Sequence, residues 1–172
     1  MVSHSITPGK PMKRFVISVL LPDRIGVIRD ISSAIADIGG DIDGMSQTVS
    51  EGYFTMLLTA KFEAARSRQE IEEAIEHNFA EDDVNVVVAP YNAGTRPPSS
   101  KENRYVATVK GEDRPGLLKK ITGFLAARDI NITDWYAEIS DSHVVHIGEI
   151  IVPTHLDIKQ IQDELHHMLA PM

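Results

Sequence analysis

One hexapeptide pattern, Asp-Arg-Xaa-Gly followed by two aliphatic residues, occurs twice in this chain, 90 residues apart: Asp23-Arg24-Ile25-Gly26-Val27-Ile28 and Asp113-Arg114-Pro115-Gly116-Leu117-Leu118. Carried without gaps from 14–62 onto 104–152, the same offset gives ten identities in 49 positions, Arg14/Arg104, Val16/Val106, Ile31/Ile121 and Ile42/Ile132 among them. Many other pairs exchange one aliphatic residue for another, such as Ile28/Leu118 and Ile35/Leu125. A chain of 172 residues repeating at that interval is expected to fold as two small domains of one kind. Residues 92–103 carry paired prolines and no apolar periodicity, which makes them a linker. The expected organisation is an N-terminal arm over 1–13, a first domain over 14–91, the linker, and a second domain over 104–172.

Inside each copy the apolar period changes in a fixed order. Phe15, Ile17, Val19 and Leu21 alternate like a strand, as do Tyr105, Ala107 and Val109. Ile28, Ile31, Ile35 and Ile38 then fall at helical spacing, matched by Leu118, Ile121 and Leu125, and Gly39-Gly40 ends the first of these helices. Two more strands follow near 41–50 and 53–62, echoed at 131–140 and 143–152. Ser67-Arg68-Gln69-Glu70 reads as a capping box opening a second helix with Ile71, Ile75 and Phe79 on its buried side. Val84, Val86 and Val88 supply a last strand. The first copy is therefore βαββαβ, an α+β fold with helices on one face of an antiparallel sheet. In the second copy Ile158, Ile161, Leu165 and Met168 mark the second helix, and Ala170-Pro171-Met172 are too few for the final strand.

Composition narrows the function. No cysteine is present, which excludes disulfides, thiolate metal sites and thiol nucleophiles. No apolar run approaches the ~20 residues that cross a bilayer, and no signal-peptide pattern opens the chain, so a cytoplasmic protein without a membrane partner is expected. Net charge is −8, and neither half carries a basic footprint, so no direct contact with nucleic acid is expected. No nucleophile elbow, phosphate loop or dinucleotide fingerprint occurs, so the chain reads as a non-enzyme with no catalytic residue and no cofactor. Metal binding is not expected either. His143 and His146 stand an odd number apart on a strand, and His166 and His167 diverge by about 100° on a helix. Trp135 and Tyr136 could stack on bases, but no basic face accompanies them.

The Asp-Arg-Xaa-Gly junction is the most distinctive feature. Asp23 and Asp113 suit N-cap positions, and Pro115 suits a first helical turn. Gly26 and Gly116 near a helix N-terminus allow either close backbone packing or the approach of a ligand carboxylate to free amides.

Strand order, junction and the residues Asp41-Ile42 or Asn131-Ile132 after the first helix together resemble the ACT domain, a family of small amino-acid-sensing regulatory domains. A stand-alone tandem pair is similar to the glycine cleavage system transcriptional repressor family. The resemblance implies two ferredoxin-like domains, a homodimer, and an amino acid bound where the first loop meets a partner's second strand. At matched positions that site is Asp23, Arg24, Ile25, Gly26, Val27 and Ile28 with Asp41, Ile42 and Asp43. In the second copy it is Asp113, Arg114, Gly116, Leu117 and Leu118 with Asn131, Ile132 and Thr133. Ile25 and Asp41 stand where proline and asparagine are frequent, and carboxylates at 41 and 43 would repel an anionic ligand, so the second copy is expected to be the better site. The expected function is amino-acid sensing passed to a regulatory protein partner, with a ligand-free interaction module as the alternative. The missing strand leaves the edge at 105–109 open, to be covered by the N-terminal arm or by another subunit.

Overall fold

The computed structural model describes residues 11–79, 83–93 and 102–170. The chain divides into two compact units between 96 and 97. Most of the arm and of the linker anticipated above lies outside the described residues.

In the first unit, β1 (Met12–Pro22) sends Phe15, Ile17, Val19 and Leu21 into the core at every second residue. It is flanked on one side by β3 (Tyr53–Glu63), which in turn pairs with β2 (Asp41–Ser50), and on the other by β4 (Asn85–Pro90). All pairings are antiparallel and the order is β2-β3-β1-β4. Helices α1 (Val27–Asp37) and α2 (Arg68–His77) bury Ile31, Ile35, Ile71 and Ile75 against one face. Ser67 and Glu70 form the anticipated capping box, with the Glu70 carboxylate accepting from Ser67 N–H at 2.7 Å. Phe79 completes the stripe.

The second unit repeats the order with one element fewer. β5 (Glu102–Glu112), α3 (Leu117–Ala126), β6 (Asn131–Ser140), β7 (His143–Pro153) and α4 (Ile158–Leu169) build a three-stranded sheet, β5-β7-β6. The final strand is absent among the described residues, as the sequence implies. Strands β1 and β5 both begin earlier than the alternation of large residues suggests.

The helix faces need a correction. Ile28 and Leu118 are 42% and 46% exposed, whereas Val27, Ala34, Leu117 and Phe124 are buried. At 100° per residue the buried arc runs through 27, 31, 34 and 35, and residue 28 falls on its rim. The second copy repeats this at 117, 121, 124 and 125.

Both first helices end alike. Gly39 has φ +77°, with Gly40 N–H donating to Ile35 O and Gly39 N–H to Ala36 O, a Schellman closure. Ile130 and Asp129 make the same two bonds to Leu125 and Ala126, but Asp129 must hold φ +55° with a Cβ present. We expect Asp129→Gly to stabilise the second unit by about 0.5–1 kcal/mol in urea denaturation. A loss of stability would mean the Asp129 side chain contributes more than its backbone strain costs.

Candidate functional site

The Asp-Arg-Xaa-Gly segment is a turn leading into a helix. Leu117 N–H donates to Arg114 O at 3.1 Å, and Gly116 sits at φ +87°, ψ −1°. This is a type II turn with proline at its second position and glycine at its third. Gly26 adopts the same conformation at φ +94°, ψ −1°. These glycines, rather than Asp23 and Asp113, are the N-cap residues, and no side chain caps either helix. Pro115 precedes the cap instead of opening the helix. The two aspartates donate their backbone N–H outward, Asp23 to Gly52 O at 2.8 Å and Asp113 to Ser142 O at 2.7 Å, tying each loop to the neighbouring hairpin turn. A Cβ on Gly116 would meet nothing within 4 Å, so positive φ, not close packing, requires the glycine there. Leu117 N–H is spent in the turn, and the amides of Leu118 and Lys119 are those the first turn can offer an acceptor.

The loops differ in charge. In the first copy Asp30 lies in the first turn and takes Arg24 at 2.8 Å and Arg29 at 2.7 Å, which holds its carboxyl below the usual range through the Arg29 bond first and the Arg24 bond second. Arg24 also lies 5.2 Å from the Phe79 ring centre. In the second copy Lys120 replaces Asp30, and Arg114 turns back to Glu112 at 2.6 Å. No acidic residue remains in that helix's first turn. A carboxylate near Gly116 therefore meets a helix start flanked by Lys119 and Lys120.

The strand positions lie elsewhere. Pro22 pairs with Tyr53 and Asp41 with Lys61, so the loop and the start of β2 are separated by eight residues along β3, about 27 Å. Glu112 pairs with His143 and Asn131 with Ile151, the same separation on β7. Neither unit by itself brings Asp23, Arg24, Gly26 and Ile28 to Asp41, or Asp113, Arg114, Gly116 and Leu118 to Asn131. Asp41 and Asn131 are exposed. The side chains of Val27 and Leu117 are buried, so these two offer only backbone to a ligand, while Ile42 and Ile132 are half-buried against the cores.

A polar cluster beside each strand start was not anticipated. The β2–β3 ladder shifts register between Ile42 and Gly44, leaving Asp43 on a bulge. Its carboxylate accepts from Thr59 Oγ1 at 2.6 Å and Arg14 Nη2 at 2.9 Å, with Lys61 Nζ at 3.2 Å. Its charge is thus compensated by Arg14 and Lys61. In the second unit Thr133 occupies the bulge and donates to Glu149 at 3.1 Å, while Arg104 pairs with that same carboxylate. Acid and threonine have exchanged strands: Asp43/Thr59 becomes Thr133/Glu149, each with its arginine. The Arg14/Arg104 identity was the signal in the sequence, and the exchange hid it.

The Thr59 bond foremost, with Arg14 and Lys61, lowers Asp43 to a pKa of about 2. A depressed carboxylate contributes stability above its unfolded value, near 4, that is lost as pH falls through about 2. We expect Thr59→Val to melt below the parent protein at pH 5, with the gap closing between pH 4 and 2. A gap independent of pH over that range would remove Asp43 from the account.

Trp135 is not a stacking platform, because it packs with the core and donates Nε1–H to the buried His146 at 3.3 Å. Among the described residues no group of three or more His, Asp or Glu is placed to hold a metal, and no helix is long and apolar enough to cross a membrane.

Comparison with known proteins agrees with this fold. A UPF0237 protein of Corynebacterium diphtheriae is 36% identical over 74 residues, 42% of this chain and 81% of its own. One from Streptococcus mutans is 31% identical over 61 residues, 36% of this chain and 69% of its own. Among solved structures, an unknown protein from Galdieria sulphuraria matches with a TM-score of 0.74 at 20% identity over 93% of this chain and 95% of its own. A candidate glycine cleavage system transcriptional repressor matches with a TM-score of 0.66 at 18% identity over 93% and 92%. At those identities the likeness is one of fold. The ACT domain model matches residues 15–76 and again 105–166, at the same 90-residue offset as the repeat, and the chain belongs to the ACT domain family.

Proposed function

We propose that this protein is a cytoplasmic amino-acid sensor that passes ligand occupancy to a regulatory partner in the control of amino-acid metabolism. The observation that carries the reading is the pair of uncapped helix starts, each held open by a type II turn with its glycine at positive φ. Free amides and the helix dipole suit a ligand carboxylate, and the second copy suits it better, with Lys119 and Lys120 where the first has Arg29 and Asp30. Asp41 and Asn131 suit a ligand ammonium group, but stand about 27 Å from the loop of their own unit. We therefore expect a complete site to take the loop of one protomer and the strand start of its partner in a homodimer. Binding would act by favouring the arrangement in which the two halves meet. With a net charge of −8, any control of transcription would run through a DNA-binding partner.

Thermal melting of the full chain against each free amino acid tests this. A ligand at about 100 times its Kd adds roughly 2.7 kcal/mol to the folded state and raises Tm. Asn131→Ala and Lys120→Asp should each reduce that rise without changing the melting of the free protein by as much. If no amino acid at millimolar concentration moves Tm, the chain is the ligand-free interaction module instead.

A further inference from the structure

We propose that the second unit binds an extended segment of a partner protein as a fourth strand, in the slot between β5 and α4. Two helices side by side need about 20 Å of sheet, and three strands give only about 14 Å, so the helix layer overhangs β5 by one strand's width. In the first unit β4 occupies the equivalent place, with Val88 buried and Val84 and Val86 packed on the core. The consequence is visible on the strands themselves. Ile17 and Val19 are 0% and 1% exposed, while their counterparts Ala107 and Val109 are only half-buried. A groove of about 260 Å³ runs along β5, floored by Ile121, Leu125, Ile150 and Ile161.

Two polar groups show how the slot is read. In the first unit Glu72 of α2 accepts the backbone N–H of Val88 at 3.0 Å, closing the outer edge of β4. Its counterpart on α4 is Gln162, which lines the groove and whose amide can accept from or donate to an incoming backbone. Lys110 stands at one end of β5, where the first unit sets Leu20 opposite Asn85. An acidic residue at that place in the incoming strand is complementary to the Lys110 charge.

The occupant is a single strand without a helix layer of its own. Antiparallel pairing of β5 with β5 of a second copy keeps both helix layers on one face and would bring two overhanging α4 helices over the same ~5 Å of sheet, where they collide. The fitting segment runs antiparallel to β5, with aliphatic side chains at alternate positions facing α4 and an aspartate or glutamate opposite Lys110.

The probe is a synthetic peptide of Val84 and β4, Val-Asn-Val-Val-Val-Ala-Pro, carrying aspartate in place of asparagine. Hydrogen exchange of the full chain should show fast amides within 105–110, slowed at least tenfold by saturating peptide. Gln162→Ala and Lys110→Glu should each weaken binding several-fold, and a lysine in place of the peptide's aspartate should do the same. Both variants change exposed side chains, and their unchanged melting temperature without peptide confirms that they fold. Protection of these amides in the monomeric chain alone would overturn the proposal, because the chain would then fill its own slot. Protection that rises with protein concentration alone would overturn it in favour of a second copy. Absence of protection by the peptide, or protection indifferent to both variants, would also end it.

Discussion

Gly40→Ile is expected to destabilise the first ACT unit by about 3 kcal/mol or more, and adding Phe62→Val to recover most of that loss. Gly40 has no need of positive φ. Its constraint is space, since a Cβ there would lie 2.4 Å from Phe62 Cε1 and 2.5 Å from Ile35 Cγ2. Phe62 cannot yield, being fully buried and edge-on to Phe15 with ring centres 6.0 Å apart. The second unit shows the other solution. There the same two positions hold Ile130 and Val152, both buried in one core. The same number of side-chain carbons is shared between the two positions in each unit, divided differently across the contact. Phe62→Val alone should cost roughly 2–3 kcal/mol through the cavity it leaves. Urea denaturation of the four proteins closes the cycle, and a coupling of at least ~1.5 kcal/mol is expected. Additive single effects would show that residues 40 and 62 do not compete for the same space.

This exchange also explains what the sequence made legible. Strand order, the duplication, the capping box and the missing strand all follow from period and punctuation, which survive any substitution of one aliphatic for another. The interior contacts did not follow, because position-by-position comparison scores Gly40/Ile130 and Phe62/Val152 as two unrelated mismatches. Asp43/Thr133 and Thr59/Glu149 were hidden in the same way, although their arginine was identical in both copies. Helix facing failed for a different reason. Ile28 and Leu118 match the apolar spacing, but the turn at Gly26 and Gly116 sets the phase of the helix and brings Val27 and Leu117 inward. The loop was legible as a glycine-dependent junction, whereas its N-cap was misplaced because αL glycine performs the role that an aspartate side chain usually does.

Gly148→Ala is expected to be the most damaging single methyl group in the second unit. A Cβ at 148 would lie 2.0 Å from Trp135 Cε3 and 2.9 Å from Asp134 O, so the indole must leave its place over the strand. Trp135 then loses its contact with His146, whose ring centre lies 5.8 Å away, and the Nε1–H bond to Nδ1. Overpacking and a broken bond to a buried imidazole together should cost about 3 kcal/mol. Because Trp135 is the single tryptophan, its emission reports the displacement directly and should move to the red as the ring enters water. The first unit again supplies the compensation. Its corresponding cross-strand pair is Met45 opposite Leu58, a middle-sized residue on each strand in place of a large one over none. Trp135→Met alone leaves the space above Gly148 empty and should cost about 2 kcal/mol or more. Gly148→Leu alone is worse than alanine. Combined, the two rebuild the first unit's pair, and the double variant should be more stable than either single one. If Gly148→Ala leaves both the emission and the urea midpoint where they were, the indole does not rest on residue 148, and the cross-strand exchange proposed for this pair is wrong.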